Sequence, residues 1–109
     1  MRKSAGSVKV AETALFVSTF QAKKGFERML QYELQRMVNS TRRERECLFC
    51  DLYRLSQDPT VFTIHSVWKS RDNWLSHSGW KNHPAACLLE QCLLEPVSVV
   101  AMDEVPEAA

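Results

Sequence analysis

The chain has 109 residues, 14 Lys and Arg, 13 Asp and Glu, and a formal net charge of +1. This length supports one hydrophobic core, and a charge so near zero provides no long-range attraction for phosphate backbones or anionic membranes. We therefore expect neither a nucleic-acid nor a membrane partner. The apolar runs are shorter than the roughly 18–20 residues of a membrane span, and the first residues lack the apolar stretch of a signal peptide, so we expect a cytoplasmic protein.

We divide the sequence into an N-terminal extension (1–12), one domain (13–105) and a C-terminal tail (106–109). The domain opens with β-branched and aromatic residues over 13–20, which predict a strand. Its alternation places four residues on one face: Ala14, Phe16, Ser18 and Phe20. Apolar residues at helical spacing then predict an amphipathic helix over 26–38.

The middle of the chain predicts a loop followed by a hairpin. Residues 40–46 interleave positive and negative charges, which is typical of a solvated loop. Strands are expected over 47–55 and 61–68, separated by the turn residues QDPT at 57–60.

Two short helices and a last strand complete the domain. Ser70 is a suitable N-cap for a helix that Gly79 would close. Pro84 suits the first turn of a further helix, which ends before Pro96. Residues 97–105 then predict the final strand.

This order matches the ferredoxin-like split βαβ motif, an α+β fold with a four-stranded antiparallel sheet and helices on one face. The other face of the sheet would be bare. We expect it to be covered by the same face of a second subunit, giving a homodimer.

The cysteines predict neither a disulfide framework nor a metal site. Cys47 and Cys50 form a CxxC pair, but in a strand two residues three positions apart point to opposite faces. Cys87 and Cys92 are five apart on a predicted helix, where the step turns the second thiol away from the first. We interpret the cysteines as reduced, buried and apolar.

Two segments together resemble the antibiotic biosynthesis monooxygenase family, which includes small quinol monooxygenases. They are TRRERECLFCDLYRL (41–55) and DPTVFTIHSVWKSRDNWLSHSGW (58–80). The shared features are a cysteine approaching an x-D-L strand, a DPT turn, a V-W-x-S hairpin end and a His three residues after a Trp. The resemblance implies a dimeric α+β barrel and oxygenation of electron-rich aromatics without flavin, haem or metal, so we expect no cofactor.

The sequence also departs from the family pattern. Ser66 stands where the family commonly has Glu, Glu46 where it often has Gly, and Cys50 where it often has Tyr. A related branch degrades haem with an Asn, a Trp and a His, and Ser18 occupies the position of that Asn.

The candidate site follows from the strand faces and the resemblance. His77 fits the Trp-then-His arrangement, and a neutral imidazole is a suitable base at physiological pH. Trp68 shares a strand face with Phe62, Ile64 and Ser66. If that face is turned to the helices, these four side chains line a substrate pocket with Phe16 and Ser18, beside Trp74, whose main expected role is to pack its helix on the sheet.

Three hypotheses remain open at this stage. The first is a cofactor-independent monooxygenase acting on a quinol or anthrone-like aromatic, with His77 as base. The second is a haem-binding or haem-degrading protein. The third is a non-catalytic stress-response dimer that binds a small ligand, in which His77 has a structural role.

Overall fold

The computed structural model describes residues 13–77, 86–105 and 107. Its elements are β1 (Ala14–Gln21), α1 (Glu27–Thr41), β2 (Cys47–Arg54), β3 (Val61–Trp68), α2 (Arg71–His77), α3 (Ala86–Cys92) and β4 (Ser98–Met102). The predicted elements are therefore present, although β4 ends at Met102 rather than at residue 105. The expected helix limits at Gly79 and Pro84, and the side chain of Cys87, lie outside the described residues.

The four strands form one antiparallel sheet in the order β2-β3-β1-β4. Strands β3 and β1 are central, and the sequence-adjacent β1 and β2 are separated in space by β3. This is the order of the ferredoxin-like motif, which confirms the predicted α+β fold.

The core lies between the sheet and the helices. In β3 every second residue, from Phe62 to Trp68, is buried, as expected for a strand with one face against helices. The α1 residues Leu30, Leu34 and Val38 recur at helical spacing and are fully buried against this face. Leu89 and Cys92 of α3 complete the same cluster. The helices therefore cover one face, which fixes the inner side of the sheet.

A register shift in β2 corrects the prediction for the CxxC pair. Cys47 pairs with Trp68 and Cys50 pairs with Ser66, so three steps along β2 match two steps along β3. Such a β-bulge adds one residue and reverses the alternation beyond it. Both cysteines therefore lie on the inner side of the sheet, whereas an unbroken strand would place them on opposite sides.

One part of the outer face of the sheet is apolar and open in the single chain. Pairing places Val17 beside Val100, and Leu15 beside both Val67 and Met102. Val100 is 48% exposed and Met102 is 45% exposed. We refer to Leu15, Val17, Phe49, Val67, Val100 and Met102 as the outer apolar face.

Within the described part of the chain, no helix is long and apolar enough to cross a bilayer.

Candidate functional site

A cavity of about 390 Å³ lies between the inner side of the sheet and the helices. Six residues predicted for the site contribute to its wall: Ser18, Ile64, Ser66, Trp68, Trp74 and His77. The remaining described wall is mostly apolar, with Phe20, Met37, Leu75, Val97 and Val99 joined by Thr41 and Cys50. Its volume lies within the usual range for small-molecule sites.

Two predicted residues lie near the cavity without lining it. Phe16 is 2% exposed and stacks on Trp74, with ring centroids 4.1 Å apart and an interplanar angle of 10°. Phe62 lies in the main core, at the end of β3 that follows the turn from β2. Phe16 therefore supports the wall from behind, and Phe62 stabilises the fold rather than contacting the cavity.

Trp68 forms a rigid part of the wall. It ends β3 and is 1% exposed, and its Nε1 donates a hydrogen bond to Ser66 Oγ over 3.1 Å. The two residues are two positions apart in a strand, so they share the inner face. Because the indole N–H is already bonded and the ring is almost fully buried, Trp68 can offer a ligand only the small part of its aromatic surface that borders the cavity.

His77 reaches the cavity because α2 starts at a defined point. Ser70 Oγ accepts a hydrogen bond from the Asn73 backbone N–H over 3.1 Å and donates one to Asn73 Oδ1 over 2.8 Å. Ser70 is thus the N-cap, as predicted. One short helix later, the His77 ring lies 4.8 Å from the Trp68 ring, between centroids, with a 40° tilt. The His77 side chain is only 15% exposed.

Glu44 is a member of the site that sequence reasoning missed. Its Oε2 lies 3.3 Å from His77 Nδ1. The loop fixes the Glu44 backbone, since the Glu44 N–H donates to Thr41 O over 2.9 Å and Glu44 O accepts from Cys47 N–H over 3.1 Å. A neutral imidazole that donates from Nδ1 carries its lone pair on Nε2. No local sequence pattern links positions 44 and 77, because the contact is made only by the fold.

The cavity wall has little charge of its own. Burial, together with the nearby Cys47, raises the pKa of the Cys50 thiol to about 12, so it is neutral at physiological pH. Arg42 lies outside the wall, where its Nε donates to Cys50 O over 2.8 Å and its Nη2 to Asp51 Oδ1 over 2.6 Å. Among the described wall residues, His77 and the neutral Cys50 thiol are the only ionisable groups.

The described residues contain no cluster of three or more potential metal ligands. The described residues form a mostly apolar pocket with aromatic side chains in its wall, within a ferredoxin-like α+β domain. The His77 imidazole, paired with the Glu44 carboxylate, lies at the edge of this pocket. A family model described as "Antibiotic biosynthesis monooxygenase" matches residues 15–87. The chain belongs to this family.

Solved structures show the same fold. A crystal structure of an antibiotic biosynthesis monooxygenase is 23% identical, with a TM-score of 0.75, over 85% of this chain and 99% of that one. A conserved protein from Methanosarcina mazei Go1 is 16% identical, with a TM-score of 0.76, over 91% and 99%. A protein from Mycobacterium tuberculosis is 21% identical, with a TM-score of 0.72, over 89% and 99%. No curated protein sequence matches the chain.

Proposed function

We propose that the protein is a cofactor-independent monooxygenase acting on a small electron-rich aromatic of the quinol or anthrone type. One observation carries the proposal: a partly open, mostly apolar cavity is bordered by both Trp68 and the His77 imidazole, and Glu44 pairs with that imidazole at Nδ1. A flat substrate can lie in the cavity beside the indole, while its acidic hydrogen meets Nε2.

The reaction needs a base, a dry chamber and orientation. His77 Nε2 removes a proton from a ring methylene or phenol, and the Glu44 carboxylate stabilises the resulting imidazolium. The substrate anion gives its electrons to O₂, a carbon–oxygen bond forms, and the proton returns to yield a hydroperoxide. Loss of water leaves a carbonyl. For anthrone the balance is R₂CH₂ + O₂ → R₂C=O + H₂O, so the substrate itself supplies all the electrons.

Anthrone and ¹⁸O₂ test this reaction. The wild-type protein is expected to consume oxygen faster than the protein-free solution and to form anthraquinone carrying one ¹⁸O atom. His77→Ala is expected to lose about 100-fold or more of this rate. His65→Gln is the matched control, since His65 lies on the outer side of the sheet, where it contacts Thr63. Equal rates for wild type and His77→Ala would refute the assignment of the base.

The two other functions receive less support. Haem carries two propionates, and the described wall offers no Lys or Arg to pair with them. A non-catalytic ligand-binding role requires the same cavity, so a set of quinols that bind without oxygen uptake would favour it.

We also propose that the protein is a homodimer formed through the outer apolar face. This face carries large side chains such as Phe49, which is 44% exposed in the single chain. Contiguous exposed apolar surface of this kind usually marks an interaction site. Pairing with a second copy would bury both faces at once.

A further inference from the structure

The Ser66 hydroxyl borders the cavity and already has one hydrogen-bond partner. A serine hydroxyl carries one hydrogen and two acceptor lone pairs. One lone pair is occupied, because Ser66 Oγ accepts the Trp68 indole N–H over 3.1 Å. This bond also fixes where the oxygen sits, at the N–H edge of the ring that lines the cavity.

The cross-strand neighbours of Ser66 do not compete for that hydrogen. Ser66 is paired with Phe16 in β1 and with Cys50 in β2. A phenyl ring has no lone pair, and a thiol sulfur is a weak acceptor. Because Ser66 contributes to the cavity wall, its O–H can turn towards a ligand in the cavity.

His77 provides the opposite kind of group in the same cavity. With Nδ1 paired to Glu44, the neutral ring presents an acceptor at Nε2. Trp68 lies between the two: Ser66 is at its N–H edge and the His77 ring is 4.8 Å from its centroid. An aromatic ring held in this cavity would therefore meet a donor at one side and an acceptor at another.

We infer that Ser66 is a specificity-determining residue, which with His77 selects an uncharged aromatic that carries a carbonyl oxygen and a separate hydroxyl. The carbonyl accepts from Ser66 and the hydroxyl donates to His77. The inference rests on the proposed function in one respect, since it takes His77 to face the group of the substrate that loses its proton. The described wall has no Lys or Arg, so a carboxylated analogue should bind more weakly.

Calorimetric binding of unreactive ketones and phenols tests this assignment. The probe is 6-hydroxy-1-tetralone, compared with 1-tetralone, which lacks the hydroxyl, and 5,6,7,8-tetrahydro-2-naphthol, which lacks the carbonyl. Each missing hydrogen bond is expected to weaken binding to the wild-type protein by about 3- to 10-fold. We call the tighter binding of 6-hydroxy-1-tetralone relative to 5,6,7,8-tetrahydro-2-naphthol the carbonyl advantage, and its tighter binding relative to 1-tetralone the hydroxyl advantage. Ser66→Ala should abolish the carbonyl advantage and keep the hydroxyl advantage. His77→Ala should abolish the hydroxyl advantage and keep the carbonyl advantage.

Further variants separate recognition from folding. Ser66→Thr keeps a hydroxyl and should restore the carbonyl advantage. Ser66→Ala alone leaves the Trp68 N–H without its acceptor, so the double variant Ser66→Ala/Trp68→Phe removes both partners and should show the same loss of the carbonyl advantage. Ser18→Ala is the matched control: Ser18 is another hydroxyl of the same wall, and its removal should leave the carbonyl advantage in place.

The outcomes distinguish this inference from the proposed function. A carbonyl advantage that persists in Ser66→Ala, or that disappears in Ser18→Ala, overturns the assignment, as does a folded wild-type protein that does not bind 6-hydroxy-1-tetralone. If the affinities follow the prediction and no anthrone is oxygenated, the monooxygenase proposal fails and the role of Ser66 stands. If anthrone is oxygenated and the carbonyl gives no advantage, only the role of Ser66 fails.

Discussion

Replacing Glu44 by glutamine removes the negative charge beside His77 and keeps an oxygen that can accept the Nδ1 hydrogen. At the observed 3.3 Å separation, the Coulomb energy between a carboxylate and a charged imidazole is about 1.3 kcal/mol in the dielectric of water. Solvent screens this pair on the Glu44 side, which is 43% exposed, although the His77 side chain is only 15% exposed. Measured exposed pairs contribute up to about 1 kcal/mol, so we expect kcat to fall about 5-fold in Glu44→Gln.

Glu44→Ala should have a larger effect, since it also removes the hydrogen bond that orients the ring. A base misplaced by about 1 Å can cost about 100-fold, so we expect kcat to fall about 10- to 100-fold. KM should change little, because Glu44 is not among the residues of the cavity wall. Initial rates of oxygen uptake over a range of anthrone concentrations separate the two constants.

Glu46→Gln is the matched control for this prediction. It removes a carboxylate from the same loop, two residues away, and should leave both constants near their wild-type values. An unchanged kcat in Glu44→Ala would contradict the reasoning. So would a loss that is confined to KM, or one that Glu46→Gln reproduces.

Three further predictions concern the fold and the assembly. Leu34 is fully buried, so Leu34→Ala should lower the free energy of unfolding by about 2–5 kcal/mol in urea titrations; a loss below about 1 kcal/mol would contradict the core described here. The Thr60 hydroxyl and, to a smaller extent, the Thr60 N–H donate hydrogen bonds that lower the pKa of Asp58. The stability that these bonds give the folded protein is therefore complete above the ordinary pKa of 3.8 and is lost as the pH falls through the lowered pKa. Thr60→Val should therefore destabilise the protein at pH 7 and less so below pH 3.8, whereas a pH-independent difference would count against this bond. Val100→Asp should convert a dimer to a monomer in sedimentation velocity, and a wild-type protein that is monomeric at all concentrations would refute the proposed interface.

The sequence predicted the features that depend on local periodicity. The alternation of apolar residues in β3 predicted its limits, Val61–Trp68, and the face shared by Ser66 and Trp68. The role of Ser70 followed from the chemistry of helix N-caps. The order of strands and helices was sufficient for the ferredoxin-like topology, because few connections are compatible with such an order.

The features that depend on pairing between distant segments could not be predicted in this way. The bulge that places Cys47 on the same side as Cys50 is set by the register of β2 against β3. Glu44 lies in a loop of mixed charge, and only the fold brings it to His77. Strand alternation identified the face that carries Phe62, but not which part of that face the helices cover and which part borders the cavity.

The most direct test of the account is proton removal in the absence of oxygen. In anaerobic D₂O, the wild-type protein should accelerate exchange of the anthrone methylene hydrogens, followed by NMR, because Nε2 of His77 removes them before O₂ takes part. His77→Ala should reduce this acceleration by about 100-fold or more. Exchange at the wild-type rate in folded His77→Ala, or no acceleration by the wild-type protein, would contradict the central claim.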